Sequence, residues 1–162
     1  MKIPEILEKI NKFSIVPVAS FSSLNDALAI SDNLIKKDLP IIEITFRTGN
    51  APEYIKTIKK EFSKMLVGAG SVVSVKMAKD AINSGADFIV MPGLNDDILK
   101  LFPAEISGGV KYLKAVSAPF PSVKFIPTGG INPTNYQDYL EQKNVLAVGG
   151  SWPIDEITSS KI

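Results

Sequence analysis

The chain has 162 residues, enough for one domain with a hydrophobic core and too few for two ordinary ones, with 45% apolar and 22% charged residues. Eighteen Lys and Arg against seventeen Asp and Glu give a net charge of +1, which leaves no electrostatic footprint for nucleic acid or an anionic membrane. There is no Cys and no His, so disulfides, thiolate nucleophiles, the commonest general base and the commonest zinc ligand are all excluded.

From the N-terminus, Met1 to Ile10 mixes charges among its apolar positions, unlike the apolar core of a signal peptide. No apolar run approaches membrane-spanning length. A cytoplasmic protein that binds neither nucleic acid nor membrane is expected. Residues 1–12 read as a helix capping one end of a single domain over residues 1–162.

Short runs rich in Val, Ile and Phe then begin near Ile15, Ile41, Leu66, Phe88, Ile98, Val123 and Val145, and each reads as a buried strand. Amphipathic helices follow most of them. Ser23 and Asp26 form a capping box ahead of Leu24, Ala27, Leu28, Leu34 and Ile35. Asn50 and Pro52 precede the Ile55, Ile58, Phe62 stripe, and Ser74 precedes Met77, Ala78, Ala81 and Ile82. Asn132-Pro133 opens another helix. Lys56, Lys59, Lys60, Lys111 and Lys114 read as solvated helix faces, and Phe120 and Trp152 as packing or subunit-interface residues. Strand followed by helix, with no hairpin turns, predicts a parallel α/β fold.

Successive strand starts lie 22 to 26 residues apart, except that Phe88 and Ile98 are ten apart. Five residues separate Pro92 from Ile98. Fully extended they span about 18 Å, too little for a crossover of about a dozen residues or more. Restoring one βα repeat of about 30 residues would give eight strands. The predicted fold is therefore a (β/α)8 TIM barrel lacking its fifth βα unit, with its C-terminal helix lost as well. Either the unit is deleted, or the sequence joins two segments. An open, flavodoxin-like doubly wound sheet is the alternative architecture.

Alternation along Ile41 to Arg47 puts Ile42, Ile44 and Phe46 on one face and Glu43, Thr45 and Arg47 on the other. The apolar face must pack on helices, so the charged set points into the barrel. Leu99 and Leu101 likewise turn Lys100 inward. Buried charges cost several kcal/mol each unless they pair or work. A structural ion-pair network is the plain reading. A functional one gains from the position of Arg47 and Lys100 towards the C-terminal strand ends, where barrel active sites lie.

Thr128-Gly129-Gly130 and Gly149-Gly150-Ser151 follow the last two strands, where barrels cradle phosphates on backbone N–H groups. Gly68-Ala69-Gly70-Ser71 ends the third strand and makes room for substrate, or for close packing.

Six motifs in order carry a resemblance: Glu43-Ile44-Thr45-Phe46-Arg47-Thr48, Val67-Gly68-Ala69-Gly70-Ser71-Val72, Met91-Pro92-Gly93-Leu94, Lys100-Leu101-Phe102-Pro103-Ala104-Glu105, Pro127-Thr128-Gly129-Gly130-Ile131 and Gly149-Gly150-Ser151-Trp152. From about Ile15 to Trp152 the chain resembles the 2-keto-3-deoxy-6-phosphogluconate (KDPG) and 4-hydroxy-2-oxoglutarate (KHG) aldolases. The resemblance implies a class I aldolase that needs no metal or other cofactor. Its substrate would be a small phosphorylated 2-keto acid of the Entner–Doudoroff route, and its assembly a homotrimer. It makes Lys100 the Schiff-base nucleophile and Glu43 the proton carrier. Arg47 would pair with the pyruvyl carboxylate, and Thr128, Gly129, Gly130, Gly150 and Ser151 would hold the distal phosphate. Ser71, Pro92 and Phe102 complete the substrate contacts, with Ser71 standing where the family usually has Thr. Glu105 belongs to the Lys100 motif but acquires no role from it. Two other readings remain: an aldolase for KHG or a galactonate epimer, and an inactive barrel remnant that only binds.

Overall fold

The structure is a computed structural model that describes residues 3–90, 98–119 and 121–159. Helix α1 (Ile3–Phe13) leads into strand β1 (Ile15–Ala19), followed by α2 (Leu24–Lys36), β2 (Ile41–Thr45), α3 (Ala51–Glu61), β3 (Leu66–Gly70), α4 (Val75–Asn83) and the short β4 (Phe88–Ile89). Then come β5 (Ile98–Leu99), α5 (Gly109–Ser117), β6 (Lys124–Phe125), α6 (Tyr136–Leu140), β7 (Val148–Gly150) and α7 (Trp152–Ser159).

Local chemistry sets the helix starts. The Ser23 hydroxyl accepts from the Asp26 N–H and the Ser74 hydroxyl from the Met77 N–H, each satisfying a donor that the helix itself leaves open. Two helix ends differ from the sequence reading. The helix predicted to open at Asn132-Pro133 begins at Tyr136 instead. The Asn132 carboxamide accepts from both the N–H and the hydroxyl of Thr134, and that of Asn135 accepts from the Asn132 N–H. These bonds build a turn in place of the first helical turn. After β7, where no helix is predicted, α7 runs for eight residues. Pro153 in its first turn lacks only an N–H that would go unpaired, and Asp155 sets a negative charge at its positive end.

Every strand pairing is parallel. One sheet has the order β4-β3-β2-β1-β7, and β5 pairs with β6. Bridges from Phe125 to Val145 and from Thr128 to Gly149 join the β6 and β7 regions. With β1 flanked by β2 and by the last strand, the order is that of a barrel and not of a flavodoxin-like sheet. Among the described residues β4 and β5 are not paired, so the barrel is open where the strand spacing shortens. The large exposed apolar residues Val73, Val75, Ile82, Phe102, Ile106 and Tyr112 all lie shortly before β4 or shortly after β5.

The two faces of β2 fall as the alternation predicts. Ile42 and Ile44 pack outward with Ala27, Leu34, Ile55 and Ile58 of the surrounding helices. Ile41 packs inward with Val16, Leu66 and Ala147, and Ile10 of α1 joins them at the N-terminal ends of the strands. Lys59 departs from the solvated role predicted for it. Its ammonium sits 2.7 Å from Asp87 and donates to the Met65 carbonyl at 3.0 Å, while Asp87 also accepts from the Val67 N–H. The ion pair ties α3 to the start of β4, and the bonds to Met65 and Val67 tie both partners to β3, so each is part-buried. No helix among the described residues is long and apolar enough to cross a membrane.

Candidate active site

The parallel register sets Glu43 beside Gly68 and Thr45 beside Gly70, all facing the interior. The space those glycines leave is filled by neighbouring side chains: the Glu43 carboxylate takes that of Gly70, and the Phe88 ring that of Gly68. The two glycines therefore provide close packing, and only Ser71 of this run borders open space.

Lys100 enters from the far side of the barrel, one residue past β5. Its Nζ donates to Glu43 Oε1 at 2.7 Å and to Oε2 at 3.0 Å. The two side chains are 19% and 5% exposed, so each charge is compensated where water reaches poorly. The third predicted inward charge lies further out. β2 ends at Thr45, the chain turns at Phe46, and Arg47 is exposed. Among the described residues it has no hydrogen-bond or ion-pair partner.

A cavity of about 400 Å³ opens over the ion pair, within the usual size for a small-molecule site. Glu43, Arg47, Ser71, Lys100, Phe102 and Thr128 line it together, six of the residues singled out from the sequence. Val18, Thr45, Val73 and Val90 complete its wall. The three valines carry no signal that separates a site wall from a core, so the sequence could not single them out. Thr45 does lie on the inward face of β2, and its hydroxyl pairs with that of Ser20.

Ser71 sits at φ 58°, in the left-handed region. A β-branched Thr is more strained there than Ser, which suits the residue this chain carries. Gly129, Gly130, Gly150 and Ser151 do not line the cavity but stand beside it, next to Thr128 in the chain or across the Thr128–Gly149 bridge. Gly129 and Gly130 hold φ values of 94° and 80°; the Thr128–Gly149 bridge turns the Gly129 N–H towards Gly149 O, whereas among the described residues no group accepts from the Gly130 N–H. The face of Gly150 is covered by the Trp152 ring, which also packs against Tyr136. The Ser151 hydroxyl donates to Asp155 at 3.3 Å. Pro92 and Phe120 lie outside the described residues.

A larger hollow of about 780 Å³, bordered by Phe13, Leu39, Phe62 and Met65, lies at the N-terminal strand ends and contains none of these residues. Among the described residues no three His, Cys, Asp or Glu are grouped to hold a metal ion. What the cavity offers is an amine in contact with a carboxylate and an unpaired guanidinium at its mouth. That set suits attack of the amine on a carbonyl, with the carboxylate moving protons.

The family model "Aldolase: KDPG and KHG aldolase" matches residues 6–101 and 97–161. The match divides where the strand rhythm breaks. A Haemophilus influenzae protein named 2-dehydro-3-deoxy-phosphogluconate aldolase is 36% identical over 183 positions, covering 94% of this chain and 86% of that protein. Since 94% of 162 residues fill only about 152 of those 183 positions, about 31 have no counterpart here. The KHG/KDPG aldolase of Escherichia coli K12 is also 36% identical, over 85% of this chain and 79% of its own length. Among solved structures, a Legionella pneumophila KDPG aldolase with pyruvate captured as a covalent carbinolamine superimposes with a TM-score of 0.88 at 30% identity, covering 99% of this chain and 93% of that one. A Zymomonas mobilis 2-keto-3-deoxy-6-phosphogluconate aldolase with 3-phosphoglycerate gives 0.85 at 33% identity, with 95% and 92% covered.

Proposed function

Since the chain belongs to the KDPG and KHG aldolase family, we propose that it cleaves 2-keto-3-deoxy-6-phosphogluconate to pyruvate and glyceraldehyde 3-phosphate through a Schiff base on Lys100. The observation that carries this reading is the contact of Lys100 with Glu43 beneath a cavity bordered by Arg47.

The Lys100 amine adds to the C2 ketone, and the carbinolamine loses water to give an iminium. Glu43, in hydrogen-bond contact with Nζ, is placed to exchange the protons that these steps release and consume. It then takes the C4 hydroxyl proton as the C3–C4 bond breaks. The bonding electrons pass into the iminium, leaving an enamine of pyruvate and a free aldehyde. Protonation of the enamine at C3, followed by hydrolysis, releases pyruvate and restores the amine. Arg47 would orient the C1 carboxylate, and Gly129 and Gly130, with Thr128, Gly150 and Ser151, would receive the phosphate.

Borohydride added with pyruvate should label the wild-type chain at Lys100 and leave Lys100→Ala unlabelled. Labelling that survives the substitution would sink the assignment. No label on the wild type would favour a binding remnant whose barrel cannot hold a dry site.

KHG or a galactonate epimer is the alternative substrate; the Ser151 hydroxyl, which donates to the Asp155 carboxylate at 3.3 Å, stands where the distal anion of either would lie. The ratio of kcat/KM for these substrates decides between them. The reading extends to a cytoplasmic homotrimer in the Entner–Doudoroff route, as the family resemblance implies; sedimentation in solution tests the assembly.

A further inference from the structure

Glu105 ends the run that begins at Lys100, and the mechanism above does not use it. It lies at the surface, yet its carboxylate accepts a hydrogen bond from the hydroxyl of Tyr139, a residue of α6 that is 1% exposed. Burial first, and the adjacent carboxylate second, raise the Tyr139 pKa well above its ordinary value, so the phenol stays a donor at neutral pH.

The backbone from Leu101 to Glu105 is laced to the turn after β6. The Thr128 N–H donates to Leu101 O at 2.8 Å, the Ala104 N–H to Thr128 O at 2.8 Å, and the Glu105 N–H to Gly129 O at 3.3 Å. The stem of Glu105 lies flat on Gly130, where a Cβ would come within 2.5 Å of Glu105 Cγ. From the other side, the carboxamides of Asn132 and Asn135 donate to Gly130 O at 3.3 and 3.1 Å. The Gly129–Gly130 turn is thus gripped by Glu105 on one side and by the turn leading into α6 on the other. Among the described residues the Gly130 N–H is left open.

We propose that Glu105 and Tyr139 form a positioning pair: the hydrogen bond between them holds the Glu105 stem against Gly130 and so aims the Gly130 N–H at the phosphate of the substrate. The inference rests on the reading of this site as one for a phosphorylated keto acid. Tyr139 is the anchor because a buried phenol on a helix has little freedom, whereas a surface carboxylate without a partner would swing into water. A small displacement of oriented donors is enough to cost one to two orders of magnitude in a bound complex.

The test compares Tyr139→Phe, Glu105→Ala and Glu105→Gln with the wild type. Tyr139→Phe and Glu105→Ala are each expected to raise KM for 2-keto-3-deoxy-6-phosphogluconate about tenfold, with kcat and pyruvate–borohydride labelling of Lys100 little changed. Glu105→Gln keeps the stem and an acceptor oxygen, and should restore KM to near the wild-type value. Inorganic phosphate titrated against the Gly130 amide resonance should bind more weakly in the first two variants by the same factor. Melting temperatures that fall while KM and phosphate affinity stay at wild-type values would overturn the proposal. So would a wild-type Gly130 amide that ignores phosphate. Should Tyr139→Phe fail to fold, Glu105→Ala, a change at the surface, decides alone. A wild type that takes no pyruvate label would fail the catalytic reading, and the phosphate titration would still judge this one.

Discussion

The Glu43 side chain reaches so far along β3, diagonally from its register partner Gly68, that a Cβ on Gly70 would lie 2.1 Å from Glu43 Oε1. The carboxylate that holds Lys100 is therefore seated in a notch that only glycine leaves open. Gly70→Ala must drive the carboxylate off the Lys100 ammonium. The expected result is a fall in kcat of about 10- to 100-fold and a stability loss of about 1–3 kcal/mol from overpacking. Steady-state kinetics and chemical denaturation of the same preparation measure both.

Adjacent residues of β2 should fail in different ways. Glu43→Gln removes the proton carrier and should lower kcat by a factor of about 10² to 10⁴. Ile44→Ala leaves a cavity on the helix side, where Ile44 is 1% exposed, and should cost about 2–5 kcal/mol of stability. The activity of its folded fraction should stay near wild type. If Ile44→Ala instead lowered kcat as much as Glu43→Gln, the assignment of the two faces would be wrong.

Ser71 holds a left-handed backbone conformation that costs an L-residue about 1 kcal/mol or more. Ser71→Gly relieves that strain and should leave stability unchanged or raise it by about 0.5 kcal/mol, because glycine adds some unfolded-state freedom. KM should rise about fivefold, the worth of one hydrogen bond to substrate. An unchanged KM would show that the hydroxyl touches nothing in the complex.

Tyr139 makes stability sensitive to alkali. Its pKa in the folded chain lies above the value of about 10 that an unfolded tyrosine has. The unfolded chain therefore loses this proton first as pH rises. Stability is full below about pH 10 and declines above it, by the linkage between proton binding and folding. Tyr139→Phe should flatten that decline when each variant is compared with its own stability at pH 8. Denaturant midpoints across pH 8 to 11 check the difference.

Much of this site is legible along the chain. The runs at Ile15, Ile41, Leu66, Phe88 and Ile98 begin the observed strands, because a buried parallel strand needs an unbroken apolar run. Alternation is a property of any strand, so the inward direction of Glu43 and Lys100 could be read before any partner was known. The ten-residue interval before Ile98 likewise marks where the barrel is open. What could not be read are contacts between side chains far apart in sequence. Lys59 looks like its solvated neighbours Lys56 and Lys60 until Asp87, 28 residues on, is brought beside it. Glu105 has no evident use until Tyr139, 34 residues on, reaches it from α6.

The sequence by itself determined the alternation of parallel strands with helices, the place where that rhythm breaks, and the amine and carboxylate that face inward. All of these follow from local periodicity and chain length. Only the tertiary structure decided that Lys100 and Glu43, 57 residues apart, meet at 2.7 Å, that Arg47 stands unpaired at the mouth among the described residues, and that Gly70 yields its space to a carboxylate. Those outcomes depend on the register between strands and on where each strand stops, which long-range packing sets and local pattern does not.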